Sequence, residues 1–169
     1  LLLTSCVRQK YVVMDMVHHN PGEAMTESKF LDPSFLKKNE YGAKVFFLFE
    51  AAQFGIDWKS FDPSLFPDTT EAGRWVAEKA EIIHKKYDAA KKEDLQVYCM
   101  LDMLVLPSLL VEKHRTELTN EQGKLDISKP YTQLCIRELM KEMFETFPQL
   151  DGLVIRTGET YLHDAPYYV

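Results

Sequence analysis

The sequence has little from which to build a disulfide framework or a zinc site: its three cysteines, Cys6, Cys99 and Cys135, lie far apart with no C-x-x-C. It has no apolar run long enough to span a bilayer. Positive charge is in deficit. The formal net charge is -6 with no basic stripe, which disfavours nucleic acid and anionic membrane surfaces as partners. Low-complexity tracts and internal repeats are absent, so any repetition lies in alternating strands and helices and not in residue identity. Neither G-x-G-x-x-G nor G-x-x-x-x-G-K-[ST] occurs, so no nucleotide phosphate cradle is visible. No cofactor is called for. What is present is a globular composition: 169 residues, 46% hydrophobic and 27% charged, are enough for one core.

Residues 11–17 are rich in β-branched side chains and end at His18-His19-Asn20-Pro21-Gly22, which predicts a strand and then a turn. Alternation puts Val12, Met14 and Met16 on one face, expected toward covering helices, and Val13, Asp15, Val17 and His19 on the other, expected toward a sheet interior. Residues 32–39 read as a short helix with Pro33 at its first position. A second strand is expected over 43–49, with Glu50 emerging at its end. A long aromatic loop follows, carrying Gln53, Phe54, Trp58, Phe61 and Phe66. Long loops are often functional, although these rings can equally pack the loop down.

The longest helix is expected from Thr69 or Thr70 to Lys92, capped by Asp68 or Thr69. Its buried stripe would be Ala72, Val76, Ala80, Ile83, Tyr87 and Ala90. His84 reads as a surface residue. A third strand over 95–101 ends at Asp102, with Tyr98, Met100 and Asp102 on one face. A helix runs from Pro107 to about His114. Another runs from about Tyr131 to Phe147, with Ile136, Leu139, Met140, Met143, Phe144 and Phe147 inward and Arg137, Glu138, Lys141, Glu142 and Glu145 outward. Pro148 stops it. The Asp151-Gly152 turn opens a fourth strand to about Arg156, with Val154 and Arg156 on one face.

This β-α-β-α-β-α-β order demands a parallel sheet with helical crossovers. Every strand delivers polar groups to the same end: His19, Glu50, Asp102, and Arg156 with Glu159. α/β proteins place their sites at that end. A full (β/α)8 barrel takes roughly 250 residues. The fold class is therefore α/β, read as the N-terminal half of a (β/α)8 barrel over residues 7–169, with the remainder of the barrel missing.

The run Asp151-Gly152-Leu153-Val154-Ile155-Arg156-Thr157-Gly158-Glu159 resembles the fourth-strand region of TIM-barrel glycoside hydrolases. It is most similar to α-glucuronidase-like barrels, which remove glucuronic acid side chains from xylan. The resemblance implies a carbohydrate substrate, Glu159 as general acid and Arg156 as the basic residue. Thr157-Gly158-Glu159 departs from the Asn-Glu pair of many retaining barrels. The residues agree in kind, because sugar hydrolysis needs two carboxyl groups flanking the bond, and Glu50, Asp102 and Glu159 share one rim. We take Glu159 and Asp102 as catalytic candidates, and His19, Glu50, Gln53, Trp58, Arg156, Tyr161 and His163 as substrate-binding candidates. Phe54, Tyr167 and Tyr168 are further ring plates or packing residues. Arg156 suits a uronate carboxylate through its planar fork, or forms a buried ion pair with Asp15 or Glu50. Asp102 caps the following turn or takes part in chemistry.

The start, Leu1-Leu2-Leu3-Thr4-Ser5-Cys6, resembles the end of a bacterial lipoprotein signal. That resemblance implies Cys6 as a lipidation site, residues 1–6 as a signal remnant, and a periplasmic, secreted or outer-membrane-anchored protein. The other reading is an apolar lead-in to the first strand. Two rival functions stand beside a glycoside hydrolase. One is a metal-dependent barrel hydrolase using His19, Glu50, Asp102 and His163, although no H-x-H aims two imidazoles at one ion. The other is a non-catalytic sugar-binding or interaction module.

Overall fold

The computed structural model describes residues 14–15, 28–47, 50–157, 162 and 165–169. Its centre is a parallel sheet in the order β1-β2-β3-β4. Three strands make the body: β2 (Ala43–Phe46), β3 (Gln96–Asp102) and β4 (Gly152–Arg156). A two-residue strand, β1 (Met14–Asp15), pairs with β2. Sequential parallel strands require long crossovers. They are supplied by α1 (Pro33–Lys38) between β1 and β2, by α2 (Glu71–Lys92) between β2 and β3, and by α3 (Ser108–Lys113), α4 (Arg115–Leu118) and α5 (Pro130–Thr146) between β3 and β4. The parallel α/β architecture and sequential order expected from the sequence are present; barrel closure is not part of these residues. None of their helices is long and apolar enough to cross a membrane. Cys6 lies outside the described residues.

Each helix starts where local chemistry satisfies its first amides. Asp32 caps α1, its carboxylate accepting the Ser34 N–H at 2.9 Å ahead of Pro33. Thr70, and not Asp68 or Thr69, caps α2 by accepting the Gly73 N–H at 3.0 Å. The expected inward stripe of α2 holds at Val76, Ile83, Tyr87 and Ala90, all buried. Its last turn meets the sheet. Tyr87 lies 4.8 Å from the Phe46 ring, and Phe147 lies 5.6 Å beyond Tyr87. His84 is half-buried against Phe147, with ring centroids 4.6 Å apart.

Helix α5 is rotated from the expected stripe. Thr132, Cys135, Ile136, Leu139, Glu142 and Met143 are buried, while Phe144 is 40% exposed. Successive residues turn about 100° around a helix, so the face centred on Leu139 and Met143 leaves Phe144 outside. Glu142 is drawn inward because Ser60 Oγ donates to its Oε1 at 2.5 Å. A polar partner in a distant loop overrides the sequence pattern here.

The two faces of the sheet differ. Phe46, Val97, Cys99 and Leu101 are buried on the face that meets Tyr87 of α2. On the opposite face Ala43 and Val45 of β2 are buried, while Tyr98, Met100 and Val154 are only half-buried. Register places Met14 against Ala43, and Ala43 against Gln96, so Met14 belongs to this opposite face. The sequence reading put Met14 toward the helices. Alternation tells which residues share a face, but strand pairing decides which face is covered. Among the described residues β4 pairs with β3 alone, and Ile155 on it is 47% exposed.

Gly73 sits where the start of α2 crosses the preceding loop. A Cβ there would lie 2.1 Å from the Pro67 carbonyl oxygen and 2.6 Å from its carbon. Alanine would gain about 1 kcal/mol of helix propensity. That gain is smaller than the cost of pushing a backbone carbonyl aside. Gly73→Ala is expected to destabilise the protein by about 1–3 kcal/mol, seen as a lower urea midpoint. An unchanged midpoint would mean the loop yields without cost.

Candidate functional site

The sequence places Asp102 and Arg156 last in their strands, and the structure makes them neighbours. Asp102 is paired with Arg156 in the β3–β4 register. Both lie on the sheet face opposite α2. The Arg156 Nε–H donates to Asp102 Oδ1 and its Nη2–H to Oδ2, each at 2.7 Å. This is the two-pronged geometry that a planar guanidinium offers a carboxylate. The Asp102 side chain is 10% exposed and that of Arg156 26%, so water screens the pair only in part. The sequence reading expected Arg156 to meet a ligand, Asp15 or Glu50. The register sets the Asp102 carboxylate directly beside the guanidinium.

A crevice opens next to this pair, lined by Phe47, Gln53, Phe54, Met100, Asp102 and Arg156 among others. It holds about 240 Å³ of empty space, much of it open to solvent. Its inner wall is the turn that follows β2, a 3-10 turn over Ala52–Gly55. Three hydrogen bonds fasten that segment to the core. Cys99 Sγ accepts the Ala52 N–H at 3.2 Å, the Tyr87 hydroxyl donates to the Glu50 carbonyl at 2.9 Å, and the Tyr168 hydroxyl donates to the Gln53 carbonyl at 3.2 Å. Burial pushes the Cys99 thiol up to about 11, so it serves as a neutral acceptor and not as a nucleophile. Burial likewise raises the Tyr87 and Tyr168 phenols.

Gln53 is 2% exposed, and its Oε1 is buried with no hydrogen-bond partner. Buried acceptors are normally satisfied, so this one marks a place where a donor is wanted. Phe54 supplies an apolar wall and is fixed by Tyr168, whose ring lies 5.0 Å away and edge-on. Tyr168 is therefore a core residue and not a plate for ligands. Residues 165–169 fold back over the end of β3, with Leu106 and Val169 exchanging backbone hydrogen bonds at 3.0 Å.

Two expected ligand residues are placed elsewhere. Trp58 is 0% exposed, with φ 57, and packs 6.0 Å from Phe61. A ring that stacks on a sugar must reach solvent, so Trp58 acts in the core in this structure. Glu50 does not line the crevice; its carboxylate pairs with Lys86 on α2. The 3-10 geometry after β2 breaks the alternation from which a position at the mouth was expected. Glu159, His19, Tyr161 and His163 lie outside the described residues. Sequence reasoning missed Phe47 as a lining residue, and kept Met100 only as the face-mate of Asp102. The spacing Met100-x-Asp102 was the available signal for Met100. Among the described residues no group of three His, Cys, Asp or Glu side chains gathers as a metal site would require.

No protein-family profile matches the chain, and no curated protein matches its sequence. Among solved structures the chain is similar to a noncanonic maltogenic α-amylase from Thermotoga neapolitana, with 15% identity and a TM-score of 0.49 over 90% of this chain and 40% of that one. The chain thus spans about two fifths of that enzyme's length. A likeness of this size assigns no family.

The ion pair makes a quantitative prediction. Asp102→Asn and Arg156→Gln should each cost about 1–3 kcal/mol of stability, since each breaks a two-pronged ion pair that water screens only in part. The double variant should cost clearly less than the sum, because both single variants lose the same pair. Additive losses in urea unfolding would show that the two groups do not couple.

Proposed function

We propose that this chain is the first half of a (β/α)8 barrel and that its strand-end crevice contacts carbohydrate in a glycoside hydrolase. The observation that carries this reading is the convergence of Gln53, Asp102 and Arg156, beside Phe47 and Phe54, at the carboxyl ends of sequentially ordered parallel strands. Ligand sites of α/β folds form there, because the loops of successive strands meet there. The mixture also suits a sugar, which presents hydroxyls around its edge and C–H bonds on its faces. Further support comes from β4, which among the described residues pairs with β3 alone and whose Ile155 is 47% exposed on the face a further helix would cover. Closure would enclose the half-buried Tyr98, Met100 and Val154 as lumen residues.

The chemistry divides between two carboxyl groups. Both oxygens of Asp102 accept hydrogen bonds from Arg156. It suits a fixed negative charge that orients hydroxyls or stabilises positive charge at the anomeric carbon. Glu159 is then the general acid, delivering a proton to the glycosidic oxygen as the bond breaks. The metal-hydrolase reading is weaker, since Glu50 and Asp102, two of its four ligands, are engaged by Lys86 and Arg156. The uronate preference suggested by the α-glucuronidase resemblance needs the Arg156 fork, which Asp102 already engages.

In the whole protein, Glu159→Gln is expected to lower kcat on poor leaving groups by about a hundredfold or more. On activated aryl glycosides, which need little protonation, the loss should be far smaller. Equal loss on both classes, or none on either, would remove Glu159 from this role. Absence of hydrolysis together with retained sugar binding would favour a non-catalytic sugar-binding barrel.

A further inference from the structure

Beyond general contact with carbohydrate, the crevice has features that select among carbohydrates. Its floor has room for about one water-sized group, so a single hydroxyl enters it while the ring stays above. Gln53 lines it, is 2% exposed, and carries an Oε1 without a partner. Gln149 Oε1 is also buried without a partner, but Gln149 does not line the crevice, and its Nε2 donates to Asp88 Oδ1 at 2.7 Å. Among the described residues, only Gln53 combines an unpartnered buried acceptor oxygen with a place in the crevice lining.

The guanidinium beside Gln53 is already paired. Arg156 uses two nitrogens on Asp102, with both contacts at 2.7 Å. An entering carboxylate would have to compete with Asp102 for the fork and would meet its negative charge at close range. It would also bring an oxygen lone pair toward Gln53 Oε1, where an acceptor faces an acceptor. A neutral hydroxyl meets neither obstacle: its proton goes to Gln53 Oε1, and its oxygen remains able to accept.

Resting on the carbohydrate reading above, we infer that Gln53 is the specificity-determining acceptor of this site, and that the crevice takes a neutral sugar hydroxyl in preference to a uronate carboxylate. The C6 position is the natural point of discrimination, because a hexose and its uronate differ there alone. Unlike a structural amide, Gln53 Oε1 has no partner to lose in the unliganded protein.

The test uses calorimetric titration of the full protein with cellotriose, maltotriose and xylotriose, and with cellotriose and maltotriose oxidised to uronates at C6. At least one neutral trisaccharide should bind roughly tenfold or more tightly than the uronate form. Gln53→Leu should weaken that binding by about tenfold and bring the two affinities closer. It should leave the unliganded thermal midpoint unchanged or higher, since it removes an unsatisfied buried acceptor. Gln149→Leu should leave sugar affinity unaltered. Tighter binding of a uronate, unaltered neutral affinity in Gln53→Leu, or a lowered midpoint with unaltered affinity would each overturn the assignment while leaving the carbohydrate reading intact. If the wild type binds none of the five sugars, the reading on which the inference rests fails, and the inference with it.

Discussion

The Asp151 carboxylate accepts the Val97 N–H at 2.7 Å, while the Asp151 N–H donates to the Val97 carbonyl at 2.8 Å. This clasp sets the register of the two strands that follow. Arg156 lies five residues beyond Asp151, and Asp102 five beyond Val97, so the clasp brings the two side chains level at the far end. Lys91 of α2 holds the same carboxylate at 2.5 Å, tying the register to the longest helix. Gly152 is part of the device. A Cβ there would come within 2.7 Å of the Tyr98 ring, which crosses over it. A slip of one residue would send Arg156 to the other face and dismantle the pair. The polar floor of the crevice thus depends on a hydrogen bond made at the opposite end of the strands.

The second half of the site is held by a different logic. The turn after β2 has no regular partner strand, so its backbone is pinned by single side chains from three places: Cys99 in β3, Tyr87 in α2 and Tyr168 near the carboxyl terminus of the chain. All three are buried, and each bond is protected from competition by water. Phe54 and Gln53 therefore face the crevice from a segment that is irregular but fixed. Rigid support around one unsatisfied acceptor is what a selective binding site requires, since an acceptor that could swing away would find another donor.

Much of this architecture was legible in the sequence, for identifiable reasons. Strands β2, β3 and β4 are short apolar runs bounded by turn residues, and α2 carries a long regular stripe; periodicity reads both well. That Asp102 and Arg156 sit at strand ends on one side followed from counting in twos. Their mutual pairing did not, because register between strands depends on the Asp151 clasp, and a carboxylate after Pro148 and before Gly152 looks like any turn residue. Trp58 was misplaced because an aromatic in a loop carries no sign of whether it is buried. The structure settles this through a left-handed backbone that tucks the ring into the core. Glu142 escaped because the Ser60 hydroxyl that draws it inward comes from a loop 82 positions away.

Nitrogen-15 NMR of the arginine side chains reads out whether a clamped Asp102–Arg156 pair forms the floor of the site. A clamped pair gives a single Arg156 Nε–H resonance that is shifted downfield, slow to exchange with solvent, and moved toward the ordinary arginine position by Asp102→Asn. An Arg156 Nε–H that exchanges as fast as those of surface arginines in the wild type, or one indifferent to Asp102→Asn, would contradict it.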